Sequence, residues 1–288
     1  MPLVRTKKLK SSLRDFDRVE DRIRQHRQAI HDAVLIVEGP SDYYLLKEFF
    51  AAENIFPAQG KKNVIDAVSV LNSWGITGIR GLVDRDFEDP PKINSIITYD
   101  FRDLEGAIVN LGGLKTIVEA FGSASKIENA GGINSVVDTI LTAVKPLTFL
   151  RAINHREQHH LKFDAVDIQG KIDRTSLELK TTSYATALNA VSDSNLGSDK
   201  IEWYLNNSQE LDDLGPRGRD VLSWTGVALR KRVGTLSQAE SRVQNLENAL
   251  KISSIHIFRK SLCLQKISDE LSRAFDEIRG DSQEISRI

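Results

Sequence analysis

Carboxylates gather at two places in this sequence where an apolar run gives way to turn residues. Residues 78–91 read Gly-Ile-Arg-Gly-Leu-Val-Asp-Arg-Asp-Phe-Glu-Asp-Pro-Pro, so Asp84, Asp86, Glu88 and Asp89 follow closely on Val83 before Pro90 and Pro91 stop the element. Residues 33–42 read Ala-Val-Leu-Ile-Val-Glu-Gly-Pro-Ser-Asp, which puts Glu38 directly after five apolar residues. Charges of one sign this close repel, and nothing basic nearby suffices to neutralise them all. A hard divalent cation answers that repulsion, because Mg²⁺ takes oxygen ligands from one or two carboxylates. Asp84 and Asp86 are therefore candidate ligands for Mg²⁺ or Mn²⁺. Asp is also favoured in turns, and residues 78–91 by themselves leave a metal site and plain turn chemistry both open.

The elements that would position these groups follow from hydrophobic periodicity. Short apolar runs bounded by turn signals predict buried strands at 33–37, 55–58, 79–83 and 93–98. Helices are predicted over 12–30, where Leu13, Phe16, Val19 and Ile23 recur at helical spacing, over 43–52 behind a Ser41 or Asp42 cap, and over 64–71 behind a polar 59–63 loop. Strands alternating with helices argue for an α/β fold with a parallel sheet flanked by helices. Groups at the carboxyl ends of such strands face one crevice. Glu38 and the Asp84/Asp86 pair are expected to converge there, which turn chemistry alone explains poorly.

Beyond about residue 110 the pattern turns mainly helical. Gly112–Gly113 and Gly131–Gly132 punctuate it, 136–144 reads as helix, and 165–168 and 177–179 read as short strands or a hairpin. Leu236, Ala239, Val243, Leu246 and Leu250 keep helical spacing, as do Leu264, Ile267, Leu271, Phe275 and Ile278. The expected organisation is a basic amphipathic helix over 1–30, an α/β domain over 31–112, and a mostly helical region over 113–288 whose apolar stripes serve its core or a homodimer contact.

Composition narrows the class. The 288 residues are 40% hydrophobic and 27% charged, ordinary for a globular chain, and the net charge of −1 announces no polyanionic partner. Residues 1–30 are the exception, with nine Lys or Arg against four acids. Such an arm could touch phosphates or simply form a solvated helix with internal ion pairs. A single cysteine, Cys263, excludes an internal disulfide and a Cys-rich zinc site, and its apolar neighbours make it an expected core residue. The first residues lack the apolar segment of a signal peptide and no apolar run approaches membrane-spanning length, so a cytoplasmic location is expected.

The order of these motifs resembles the Toprim catalytic domain, shared by type IA and II topoisomerases, primases and the overcoming-lysogenization-defect nucleases. The match covers roughly residues 33–110. The segments Val37-Glu-Gly-Pro-Ser-Asp42, Gly81-Leu-Val-Asp-Arg-Asp-Phe-Glu88, Thr98-Tyr-Asp-Phe-Arg-Asp-Leu-Glu105 and Gly218-Arg-Asp-Val-Leu222 are similar to a bacterial subfamily of stand-alone Toprim proteins of phage defence, typified by the effector of PARIS-type systems. Arg219 stands where histidine is common in that subfamily. The resemblance implies that Glu38 acts in acid/base chemistry or on the metal and that Asp84 and Asp86 hold Mg²⁺ or Mn²⁺. It further implies a nuclease that cleaves host tRNA, is restrained by a separate ABC-type ATPase sensor subunit, and acts as a homodimer. No Gly-x-x-x-x-Gly-Lys-Ser/Thr loop occurs here, so an ATPase would have to be another polypeptide. A DNA nuclease of the overcoming-lysogenization-defect type and a non-catalytic subunit of an ATPase complex are the alternatives.

Further residues are assigned by position. Glu105, behind the fourth strand, points to the same end of the sheet and is a fourth candidate ligand, while Asp103 suits a helix cap. Lys61, Lys62 and Arg102 are candidate phosphate-positioning cations, and Arg85 is expected in a structural ion pair. His155, His159 and His160 lack the carboxylate that would complete a zinc motif and are expected to line a surface or touch RNA. Trp203, Tyr204 and Trp224 could stack on bases but are expected in the core.

Overall fold

The computed structural model describes residues 18–209 and 214–285. The basic residues Arg5 to Arg14, and Leu13 and Phe16 of the predicted first helix, lie outside them. The chain divides into two compact units. One takes the chain up to Val83, Lys92–Ile97 and the chain from Lys266, and the other takes Asp84–Pro91 and Thr98–Gln265. These limits are not the expected 31–112 and 113–288, because the end of the chain is bound to the sheet by ion pairs no local pattern displays.

In the first unit, α1 (Val19–Ala29), β1 (Val34–Val37), α2 (Pro40–Leu46), β2 (Ile55–Pro57), α3 (Lys61–Ser73) and β3 (Ile79–Val83) follow in order, and β4 (Ile96–Thr98) closes a sheet of strand order β2-β1-β3-β4. β1 runs parallel to both neighbours, with Leu35 opposite Ile55 and Arg80 and with Val37 opposite Pro57 and Leu82. The architecture is thus α/β around a parallel sheet. Alternation along the strands divides the two faces. Val34, Ile36, Ile79 and Val83 face a core completed by Val19 and Ile23 of α1 and by Val64, Val68 and Leu71 of α3. Gly81 lies on the same face, where a Cβ would come within 2.6 Å of Ile96 and 2.8 Å of Val64, so the residue lets α3 close on the sheet.

Residues on the opposite face meet α12 (Leu262–Ile285) from Lys266 onward. Arg80, 5% exposed, donates to Glu277 at 2.6 and 3.1 Å and to Glu270 at 3.2 Å, and Gly78 N–H donates to Glu277 at 3.3 Å. Arg80 lowers the Glu277 pKa below the ordinary carboxylate value. Two local expectations shift. α2 starts at Pro40, which suits the first helical position, and is shorter than predicted. The Asp42 carboxylate reaches back to accept the Gly39 N–H at 3.1 Å rather than capping a later start. α3 begins at Lys61 and absorbs the end of the expected loop.

The second unit is helical: α4 (Leu104–Ile108), α5 (Leu114–Phe121), α6 (Ala124–Asn129), α7 (Gly132–Glu157), α8 (Thr181–Val191), α9 (Ser198–Asn206), α10 (Gly218–Val227) and α11 (Val243–Phe258). π-helical turns at Val109–Gly113 and Ala228–Arg232 follow α4 and α10. α10 is buried at every position except Arg219 and packs against α4, α7 and α11, the behaviour of a helix at the centre of its unit. Of the short strands or hairpin expected at 165–168 and 177–179, one antiparallel bridge between Ile172 and Leu179 forms, and 3₁₀ turns occupy Phe163–Ala165 and Ile168–Lys171. Phe163, Ile172 and Leu177 there enter the core singly rather than as an alternating ladder. Cys263 is buried, as its neighbours predict. No described helix is long and apolar enough to cross a membrane.

Candidate functional site

The pairing of β1 with β3 brings two carboxyl ends of strands to one edge, with Val37 opposite Leu82. Glu38 is the next residue after β1 and Asp84 the next after β3. The β1 exit is fixed through its backbone: Ala58 N–H donates to Val37 O at 2.9 Å and Gly60 N–H to Glu38 O at 2.8 Å. Glu38 is half-buried, as are Asp84 to Phe87, whereas Glu88 and Asp89 are exposed.

The acidic loop is shaped within the second unit by Arg102. Asp86 sits at φ 54°, in the left-handed region that Asp tolerates better than most residues. It is held there by reciprocal backbone contacts: its N–H donates to Arg102 O at 2.8 Å, and Arg102 Nη1 donates to Asp86 O at 2.7 Å. Arg102 Nε donates to Gly215 O at 2.8 Å, and the guanidinium lies 3.9 Å from the Phe87 ring centroid. At 1% exposure, Arg102 is a buried clamp on the loop and not the phosphate-positioning cation expected of it. Arg85 also departs from expectation. Its Nε is buried without a hydrogen-bond partner, and among the described residues it makes no ion pair. Lys61 and Lys62 lie on the first turn of α3 rather than in a loop, where exposed Lys62 pairs with Asp66.

Asp103 caps α4 as expected, accepting the Gly106 N–H at 2.6 Å. It also accepts the Gly218 N–H at 3.0 and 3.1 Å, so one carboxylate caps the starts of both α4 and α10. Burial pushes its pKa up to about 6 against the pull of those two N–H groups and Arg217. The two helices touch so closely that a Cβ on Gly218 would stand 2.3 Å from Gly106 N. Glu105 points to α11: Lys251 Nζ lies 2.6 Å from its carboxylate and 2.6 Å from that of Glu247. Burial, with Asp103 adding to it, raises the Glu105 pKa to about 7. The same two carboxylates raise that of Lys251 against burial. One ammonium thus faces two carboxylates, and Glu105 shares its ionic partner with Glu247. Among the described residues, no three His, Cys, Asp or Glu side chains form a group able to hold a metal.

Outside this region, His159 Nε2 lies 3.0 Å from Glu157, which also accepts the Tyr204 hydroxyl at 3.1 Å. Trp224 is fully buried and donates to Leu177 O at 2.9 Å, as a core indole should. Trp203 contradicts the core expectation: it is 51% exposed, with Lys200 Nζ 4.1 Å from its ring centroid. The sequence reading also missed the bidentate pair of Arg151 with Asp220, at 2.7 and 2.9 Å. An acid two residues into a helix start was its one local signal. No family model matches this chain, and no curated protein is similar to it.

Proposed function

We propose that this protein is a Toprim-like, metal-dependent nuclease whose phosphodiester chemistry is carried by Glu38, Asp84 and Asp86. The observation that carries the reading is the parallel pairing of β1 with β3, which sets the exits to Glu38 and Asp84 at one edge of the sheet. The donor chemistry suits Mg²⁺ or Mn²⁺, since carboxylate oxygens are the ligands such ions prefer. The partnerless buried Nε of Arg85, between the two aspartates, is a donor that suits a phosphate oxygen. Glu105 is left out of the ligand set because it already pairs with Lys251.

When bound, the cation would offset charge on the non-bridging oxygens and favour deprotonation of a nucleophilic water. In this reading Asp84 and Asp86 hold the cation and Glu38 accepts the nucleophile's proton. Arg102 keeps the acidic loop in one conformation, so the pair is preorganised. Host tRNA as substrate, a role as toxic effector in anti-phage defence, a homodimeric active form and an ABC-type ATPase sensor as partner are the finer parts of the proposal, and they rest on the sequence resemblance.

The test is cleavage of total tRNA and of supercoiled plasmid by the purified protein with Mg²⁺, Mn²⁺ or chelator. Cleavage that needs the ion and falls at least about a hundredfold in Glu38→Gln and Asp84→Asn is expected, the scale of losing an acid/base group. Cleavage of plasmid alone moves the substrate to DNA. Variants as active as the wild type sink the reading, and absence of any cleavage favours a non-catalytic subunit.

A further inference from the structure

A cavity of about 290 Å³ in the second unit lies beside α10 and the start of α11, with Arg151, Tyr184, Arg219, Asp220, Arg242 and Val243 among its walls. Its charges are unequally matched. Asp220 is taken by Arg151, and Asp164 lies between Arg151 at 3.8 Å and Arg217 at 3.7 Å. Asp167, the remaining acid of the wall, interacts with Arg230. Arg219 and Arg242 are exposed, and among the described residues neither guanidinium has an ion pair or a side-chain hydrogen bond. They are the surplus positive charge of the cavity.

Two further features point the same way. α11, a helix of 16 residues, begins at Val243 in the cavity wall, so its positive end opens there, whereas the start of α10 is already capped by Asp103. Behind it a half-buried polar network ties the wall together. Arg230 Nε donates to Ser241 Oγ at 2.5 Å and its Nη2 to Gln169, and Gln169 Nε2 donates to Ser241 O at 3.1 Å. Arg151 covers the Phe163 ring at 4.4 Å, which occupies that aromatic face and leaves charge, not stacking, as the means of recognition.

We propose that this cavity binds a phosphate group, gripped by the Arg219 and Arg242 guanidiniums at its mouth. Planar guanidiniums suit phosphate because each can present two N–H donors in parallel. A free phosphate monoester and a backbone phosphodiester share this chemistry. The inference stands on the cavity alone and does not need the nuclease reading: phosphate binding without cleavage would sustain it while that reading failed.

The experiment is calorimetric titration of the full-length protein, with chelator present and at low salt. The probes are inorganic phosphate, a nucleoside 5′-monophosphate and a short single-stranded oligoribonucleotide. Arg219→Gln and Arg242→Gln, both exposed and so compatible with the fold, are each expected to weaken binding about tenfold, the scale of one charged hydrogen-bonded contact. Arg219→Lys should recover part of that loss, since it restores charge without the fork. Binding of phosphate and the monophosphate assigns a free ligand, and binding of the oligonucleotide alone assigns a backbone phosphate; both sustain the proposal. It is overturned if none of the three binds, or if both glutamine variants bind as tightly as the wild type.

Discussion

Replacement of Glu105 by glutamine tests the electrostatics of the second unit most directly. Glu105 is buried beside Asp103, and Lys251 is shared with Glu247. Its pKa stands at about 7 against an ordinary 4.5. Below the ordinary value both folded and unfolded chains hold the proton, so the group has no effect on stability. As pH rises towards 7 the unfolded chain ionises first, the folded chain binds more protons, and stability falls with pH until both are ionised. At about 1.4 kcal/mol for each pH unit, the total decline from this group is about 3 kcal/mol. Glu105→Gln keeps an oxygen acceptor for Lys251, leaves Lys251 paired with Glu247 alone, and removes the decline. Urea unfolding from pH 5 to 8, followed by tryptophan fluorescence, to which the buried Trp224 of the same unit contributes, reads this out. The wild type should lose stability across the range, and the variant should lose about 2.5 kcal/mol less, the rest of the decline falling below pH 5, while retaining a smaller slope from Asp103, whose pKa is also raised. A variant with the wild-type slope would refute the assignment of that carboxyl. Retained metal-dependent cleavage by the same variant is also expected, because Glu105 is not among the proposed ligands.

Two further outcomes follow from packing and ion pairing. Gly218→Ala drives a methyl to 2.3 Å from Gly106 N, where both partners are backbone, and should cost about 1–3 kcal/mol in thermal or urea unfolding. Asp220→Asn keeps the shape but removes the close counter-ion of Arg151, whose side chain is 11% exposed, and leaves only the exposed Asp164 at 3.8 Å to answer its charge. A loss of about 3–5 kcal/mol is expected, and an Arg151→Met/Asp220→Leu double replacement should recover much of it.

Much of the sheet was legible in the sequence because its strands carry their own signal. The four-residue run Val34–Val37 and the strand Ile79–Val83, apolar but for Arg80, are buried on both faces, and such strands read as largely apolar segments. Glu38 and Asp84 could be placed from the same signal, since each begins where an apolar run ends. Trp203 was misread because exposure of one indole depends on which helix covers it, and composition carries no information on that. Arg102 was misread for a related reason: an arginine at a strand exit looks like a surface cation until Gly215, over a hundred residues away, is seen to accept from it.

The sequence alone determined the periodic elements, the acidic strand exits and the Asp103 cap, because each is set by neighbours a few residues apart. Tertiary structure decided which charges are free and which are already satisfied. Arg80 is bound by Glu277, Glu105 by Lys251 and Asp220 by Arg151, across separations no local pattern spans. A charged group's role depends on the partner that answers its charge, and folding chooses that partner from anywhere along the chain.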